Sequence, residues 1–479
     1  MLRPSPRALG LLALLAAALA VPLVAGSDAA ASRGSAQLAA FFEPPELRDG
    51  ISRAQAVEID RVIAAYKRRT GGAASAKVDG PGAFPFFPQA GILGRDLFLN
   101  NFTDQNPAVG LVRDWDCSDY TYDGHQGHDS LVRTFREQEI GVPVFAVLPG
   151  TVVDAHDGEP DRNVEWDQSK RANYVVVDHG GGLITLYFHF KTGSVAVTPG
   201  QAVVAGTQLG LTGSSGLSDW PHLHLETRQD NHWLEPSAGP CRSGDTRWAA
   251  QPPVMRDPYI ADAYLSSGPI VLLDNDDFLS DEAPRAGSFA KGEQVIGARI
   301  DLRNLPASPA YHVRVLDAQR HVVTENSGVL SNHGFRHLSV AVFSFFLDLD
   351  TLGTWRVIAD VEGMPRIDAP FLVVGKPSQV KNRKPNRITA TMTPKAPAAG
   401  RAMTCTVNTS LVAEDPDFDV VGYRYEWRVN NKVVRTVTSA ALTDFLAAGV
   451  AAPGAKMSCR VTPTDLASFG PTAIAVARD

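Results

Sequence analysis

A chain of 479 residues, 44% hydrophobic and 20% charged, has ordinary globular composition and room for two to four separate cores, which sets general disorder aside. Its formal net charge of -7 gives no long-range attraction for nucleic acid or for an anionic membrane surface, so neither is an expected partner.

The first element is a targeting segment. Arg3 and Arg7 precede an apolar run over residues 8–25 and the small-residue stretch Val24-Ala25-Gly26-Ser27, which predicts a secretory signal peptide over residues 1–26. The alternative is an uncleaved anchor, because the run approaches the roughly 20 residues that span a bilayer. No later run is apolar for long enough to cross a membrane, so no stable span is expected after signal cleavage. The expected location is secreted, periplasmic or cell-envelope associated.

Residues 27–96 read as an N-terminal helical and extended segment. Ser52 and Gln55 have capping-box spacing, Ile59, Val62, Ile63 and Tyr66 repeat at helical period, and Gly71-Gly72 ends the helix. The Pro- and Phe-rich residues 80–88 (GPGAFPFFP) suit an extended strip lying on the next domain.

Residues 97–263 read as short strands broken by glycine turns, over 142–147, 150–153, 174–178, 183–189 and 223–227, with no helical periodicity. Gly180-Gly181-Gly182 predicts a hairpin turn and Pro199-Gly200-Gln201 another. The unit is therefore an antiparallel β domain. Runs over 294–300, 311–316 and 354–361 predict a β-sandwich at 268–375, and the basic stretch 376–387 (KPSQVKNRKPNR) reads as a solvated linker. Residues 388–478 hold Cys405, Trp427 and Cys459 in an order that resembles immunoglobulin-like and polycystic-kidney-disease-like sandwiches, with 425–431 as the strand of the buried Trp. Met457 stands where antibody-type domains carry Tyr.

Four cysteines without a CxxC pair, in an exported chain, predict two disulfides. Cys117 and Cys241 bracket the histidine motifs, while Cys405 and Cys459 lie together near the C-terminus, so the expected bridges are Cys117–Cys241 and Cys405–Cys459. The expected fold class is mainly β: an antiparallel β domain followed by two β-sandwich domains, after a short N-terminal helical segment.

Two clusters carry the chemistry: His125-Gln126-Gly127-His128-Asp129 and Pro221-His222-Leu223-His224-Leu225-Glu226. Catalytic zinc takes three protein ligands from His, Asp or Glu and keeps a fourth position open. An H-x-x-x-D pair and an H-x-H pair can supply three ligands and one base. In a strand His222 and His224 share a face, while Leu223 and Leu225 enter the opposite layer. Either motif alone usually marks a surface or hydrogen-bonded histidine, so their pairing is what counts.

With Tyr187-Phe188-His189 between them, these clusters resemble the H-x-G-x-D, Tyr-x-His and His-Leu-His pattern of the lysostaphin-type, LytM-like M23 metallopeptidases. The likeness runs over residues 124–240 and includes Val142-Pro143-Val144, Pro149-Gly150-Thr151 and Pro199-Gly200-Gln201 through Gly206, Gly210, Gly213 and Gly216. It implies one Zn2+ held by His125, Asp129 and His224, with His189 and His222 catalytic in roles the sequence does not divide. His128 is the rival ligand. The resemblance further implies a zinc metalloendopeptidase cutting peptide bonds, in peptidoglycan stems or cross-bridges, by zinc-activated water and a histidine general base. A secreted protease acting on proteins, or a non-catalytic LytM-like regulatory protein of the envelope, is the alternative. The sandwiches would hold wall, glycan or protein, or act as spacers.

Some relatives place an upstream Asn on the zinc, yet nothing in the sequence selects among Asn100, Asn101 and Asn106, which read as loop residues. Asp116, Asp119 and Asp123 are candidates to orient ligand imidazoles or to form turns. Trp115, Trp220 and Trp233 are candidates for a substrate groove or for packing. His156, His179 and His232 carry no pattern and read as structural or exposed. The segment before Leu97 could block the groove.

Overall fold

The computed structural model describes residues 33–43, 50–70, 82–281, 283–330, 336–397, 400–409 and 414–477. The expected signal peptide and the Gly71-Gly72 stop lie outside the described residues. The chain is mainly β, as its alternating apolar runs and glycine turns dictate.

The histidine motifs sit in an antiparallel sheet whose strands lie in the order Phe98–Asn101, Gly127–Leu131, His222–Gln229, Leu183–Phe188, Tyr174–Gly180, Gly150–His156 and Ala202–Val203. Gly180, Gly181 and Gly182 turn the central hairpin with φ of 78°, 58° and 83°, a run of left-handed backbone that side-chain-bearing residues resist. One face of this sheet buries Val175, Val177, Tyr187, Leu223 and Leu225 against Val144, Phe190, Leu209 and Trp248. The strip that begins at the Pro- and Phe-rich segment covers this layer: Phe84 N–H donates to Arg247 O at 2.6 Å and its ring meets Trp248 edge-on at 5.1 Å. Phe86 reaches Phe445 of the C-terminal module at 4.5 Å. A six-residue helix, Phe135–Ile140, also interrupts the region, too short for a 3.6-residue period to register in sequence.

The other face packs Val153, Tyr174, Val176, Ile184, Leu186 and Phe188 against Ile59, Ile63 and Tyr66 of the helix Arg53–Thr70. An isolated helix of this length is marginal in water, so docking supports it; each of these side chains contributes about 1.5–3 kcal/mol of burial. Ser52 Oγ caps the helix by accepting Gln55 N–H at 3.3 Å, as its spacing predicts. Gln55 does not complete the capping box. Its amide instead clamps Ala172, donating to the carbonyl at 2.8 Å and accepting the N–H at 2.9 Å.

A second module stacks the sheet Gly34–Phe42, Arg336–Leu349, Gly292–Leu305, Tyr259–Ser266 on the sheet Ser288–Ala290, Ile367–Val374, Gly353–Val361, Ala310–Leu316, Val322–Val329. Trp355, Phe343, Phe345 and Phe371 fill the space between them. Two of its strands depart from the sequence reading. Gly34–Phe42 comes from the segment read as helical and extended, and Tyr259–Ser266 crosses the boundary expected at 263. The third module pairs the sheet Thr389–Thr393, Met403–Asn408, Thr443–Leu446 with the sheet Lys432–Ser439, Gly422–Val429, Met457–Thr464, Ala473–Val476. Trp427 is buried beside the Cys405–Cys459 bridge and donates Nε1–H to Asp444 at 2.8 Å. Cys117–Cys241 is the other disulfide. No helix among the described residues is long and apolar enough to cross a membrane.

Candidate metal centre

A ladder between two strands brings the two motifs together. Asp129 and His224 are direct partners in the ladder between Gly127–Leu131 and His222–Gln229, and His125 lies just before the first of these strands. His125 Nε2 is 2.9 Å from Asp129 Oδ2 and 3.2 Å from His224 Nδ1, and His224 Nδ1 is 2.8 Å from Asp129 Oδ1. These three side chains form one of the groups whose ligand atoms all lie within 4.8 Å of each other.

The donor set fits a cation. His125 Nδ1–H donates to Phe102 O at 2.7 Å, which fixes the tautomer and leaves the Nε2 lone pair facing a carboxylate oxygen. That contact is repulsive without an ion between the two groups. Two imidazoles and one carboxylate with no thiolate match a catalytic zinc site better than a calcium or copper one. Gly127 makes the approach of His224 possible: a Cβ there would sit 2.6 Å from His224 Nε2 and 2.7 Å from Leu225 O.

His189 and His222 lie beside the triad. Their ring centroids are 4.3 Å apart, and His189 is 6.0 Å from His224. Each donates Nδ1–H to a backbone carbonyl, His189 to Ser215 at 2.6 Å and His222 to Trp220 at 2.6 Å, so Nε2 is the basic nitrogen of both. His189 holds φ at 65°, left-handed backbone that a non-glycine residue adopts only under constraint.

His128 is turned away from the centre. One residue before Asp129 on the same strand, it faces the opposite layer, where Nε2 pairs with the buried Glu235 at 2.7 Å and the ring packs on Phe102 and Trp248. Of the three upstream asparagines, Asn101 touches the triad through Asp129. It lies on a strand rather than in a loop, opposite Asp129, and its Nδ2–H donates to Asp129 Oδ2 at 2.9 Å. Asn106 only forms a local turn, accepting Ala108 N–H.

Asp116 pairs with Arg256 at 2.7 Å and Asp123 accepts Gly110 N–H at 3.0 Å; main-chain carbonyls hold the rings of His125, His189 and His222, which no side-chain pattern could have revealed. Trp115 and Trp220 are core residues, and Trp233 is exposed. His179 is buried, which pushes its pKa down to about 4 against the opposing hydrogen bond to Pro149 O, while His156 pairs with Glu159 and His232 is exposed.

The helix Arg53–Thr70 lies on the same face of the sheet as the triad, because Phe188, which it covers, is the ladder partner of His224 with rings 5.7 Å apart. Asp60 of this helix pairs with Arg228, four residues along the His224 strand, at 2.6 Å, and Gly50 N–H donates to Leu217 O at 3.0 Å. None of His125, Asp129, His189, His222 and His224 is more than 5% exposed.

Residues 125–236 match the model of Peptidase family M23, and this part of the chain is an M23 peptidase domain. A Vibrio cholerae serotype O1 protein named peptidoglycan DD-endopeptidase ShyA is 37% identical over 87 residues, 18% of this chain and 17% of that protein. An uncharacterized metalloprotease of Haemophilus influenzae is 31% identical over 132 residues, 28% of this chain and 22% of that protein. The matches thus span less than a quarter of the length of these relatives. Among solved structures, a zinc containing peptidase from Vibrio cholerae aligns at 23% identity and a TM-score of 0.23 over 35% of this chain and 41% of that one. The catalytic domain of the prophage-encoded M23 protein EnpA from Enterococcus faecalis aligns at 22% identity and a TM-score of 0.22 over 31% and 94%.

Proposed function

We propose that this chain is a zinc endopeptidase that hydrolyses peptide bonds of peptidoglycan and that the helix Arg53–Thr70 keeps it latent. The observation that carries the reading is the convergence of His125, Asp129 and His224 within 4.8 Å, with the rings of His189 and His222 alongside.

In this reading His125 Nε2, one Asp129 carboxylate oxygen and His224 Nδ1 hold zinc. When bound, zinc supplies Lewis acidity to the scissile carbonyl and makes a water acidic enough to ionise near neutral pH. His222, its Nδ1–H held by Trp220 O, takes the proton from the attacking water on Nε2. His189, fixed by Ser215 O in the same tautomer, presents Nε2 to the developing oxyanion or to the leaving amine. Asn101 keeps Asp129 in its ligating orientation.

A polypeptide substrate must reach side chains that are now almost wholly covered. The apolar strip Ile184, Leu186, Phe188 and Tyr174 beside the triad is the natural groove floor, and the helix occupies it. Activity therefore requires that the helix leave. Peptidoglycan enters through the kinship with the named DD-endopeptidase, and the two disulfides suit the oxidising side of the membrane where wall is found. Digestion of purified muropeptides by the Ile59→Glu, Ile63→Glu protein, abolished by chelator and restored by zinc, tests the proposal. Hydrolysis of casein but not muropeptides would move the substrate to proteins.

A further inference from the structure

A second group of metal-ligating side chains lies far from the histidines, at the junction of the two sandwiches. Asp415 and Asp419 come from the loop before Gly422–Val429, and Asp465 from the turn after Met457–Thr464. Each offers a carboxylate oxygen within 4.8 Å of the other two. Three like charges at such separations repel strongly unless something neutralises them.

The described side chains neutralise them only in part: Arg285 and Arg136 draw Asp419 down without forming an ion pair with it, and Asn382 and Ser468 donate to Asp465. Arg285 is committed to Asp262 and Asp281, and Arg383 to Asp417. Asp415, Asp419 and Asp465 make no ion pair among the described residues. Asp415 is 1% exposed, and although Oδ1 accepts Asp417 N–H at 2.7 Å, Oδ2 has no hydrogen-bond partner. A buried carboxylate oxygen left so is costly and marks a missing ligand. Burial, reinforced by the neighbouring carboxylates, pushes Asp415 up to about 7 and Asp419 up to about 6, whereas hydrogen bonds from Asn382 and Ser468 outweigh burial at Asp465 and hold it below the usual carboxylate range.

We propose that Asp415, Asp419 and Asp465 bind a calcium ion that locks the junction between the two C-terminal sandwiches. The donors are all hard oxygens with no imidazole or thiolate, which selects an alkaline-earth cation over zinc, and partly exposed Asp419 and Asp465 leave room for the waters that complete six to eight ligands. The surrounding bonds explain what the ion would hold. Asn382 of the linker donates to Asp465 at 2.8 Å, Arg383 donates to Gly287 O of the middle module at 2.8 Å, and Arg285 donates to Phe418 O inside the acidic loop at 3.0 Å.

The test uses the full zinc-loaded chain, with calcium removed by dialysis rather than chelation. Calorimetric titration with calcium chloride should give one site with Kd of about 10⁻⁴–10⁻³ M, and 10 mM calcium should raise Tm by about 2–4 °C. Asp419→Asn should weaken binding at least about tenfold, whereas His224→Ala should bind calcium like the parent. Calcium should also slow trypsin cleavage at the exposed Lys381 and Arg387 in the parent, a readout that needs no variant. Absence of saturable binding together with unchanged Tm and cleavage would overturn the site, as would calcium binding that survives Asp419→Asn and disappears in His224→Ala.

Discussion

Asp129 and His224 face each other as cross-strand partners, with Oδ1 and Nδ1 2.8 Å apart. Because both side chains hang from adjacent strands of one sheet, their spacing is set by the ladder and not by loop conformation. The proposed centre would therefore be held ready before an ion binds.

The first prediction separates ligands from catalysts. Asp129→Ala and His224→Ala should lose stoichiometric zinc, measured by atomic absorption. His189→Ala and His222→Ala should keep it while kcat falls about 10²–10⁴-fold. Loss of zinc in His222→Ala would move that residue among the ligands.

The second concerns Asn101. Its single hydrogen bond to Asp129 should be worth about 10–100-fold in zinc affinity, so Asn101→Ala should weaken binding by that factor in a competition titration, with little change in Tm of the zinc-free protein. Affinity equal to the parent would leave Asn101 a packing residue.

The third concerns Gly127, whose missing side chain leaves space for the His224 ring. Gly127→Ala should cost about 1–3 kcal/mol in urea unfolding and displace His224 from the metal, so stability and zinc should fall together.

The convergence of His125, Asp129 and His224 follows from the pairing of the two motifs and the resemblance that pairing carries. The H-x-G-x-D and H-x-H motifs place chemically competent groups at period two, and a strand then sends His222 and His224 to one face. Period two likewise turns His128 away from Asp129. Asn101 was not legible because its partner is 28 residues distant and a lone Asn has no pattern. Nor could the carbonyls of Phe102, Ser215 and Trp220 be foreseen, since every residue carries one. Gly34–Phe42 was hidden for a related reason: its Ala-rich sequence has weak β propensity, and it becomes a strand by pairing with Arg336–Leu349, some three hundred residues later. The helix Arg53–Thr70 was plain from its period, but which surface it covers depends on Phe188 and Leu186, far along the chain.

The fourth prediction addresses that cover. Ile59→Glu with Ile63→Glu puts charge into the helix contact while leaving the strand Gly34–Phe42 in its sheet. Hydrolysis of muropeptides should rise at least about tenfold as the helix leaves, since burying an unpaired charge is prohibitive. An unchanged rate would remove the helix as a block.

The fifth follows from His179. Burial lowers its pKa from 6.5 to about 4, so the unfolded chain binds the proton first, and the stability contributed by the neutral ring is present above about pH 6.5 and lost as pH falls toward 4. The full loss is about 3 kcal/mol. Zinc-free His179→Gln should show a shallower decline in unfolding free energy between pH 7 and 4.5 than the zinc-free parent.

The central claim is a zinc-dependent peptidase masked by its own helix, and the most direct measurement pairs metal content with turnover in the Ile59→Glu, Ile63→Glu protein. One zinc per chain, together with release of new amino groups from muropeptides that stops when His222→Ala is added, is the predicted result. One tightly held zinc with no turnover on muropeptides or on protein substrates would contradict it and leave the domain a binding module.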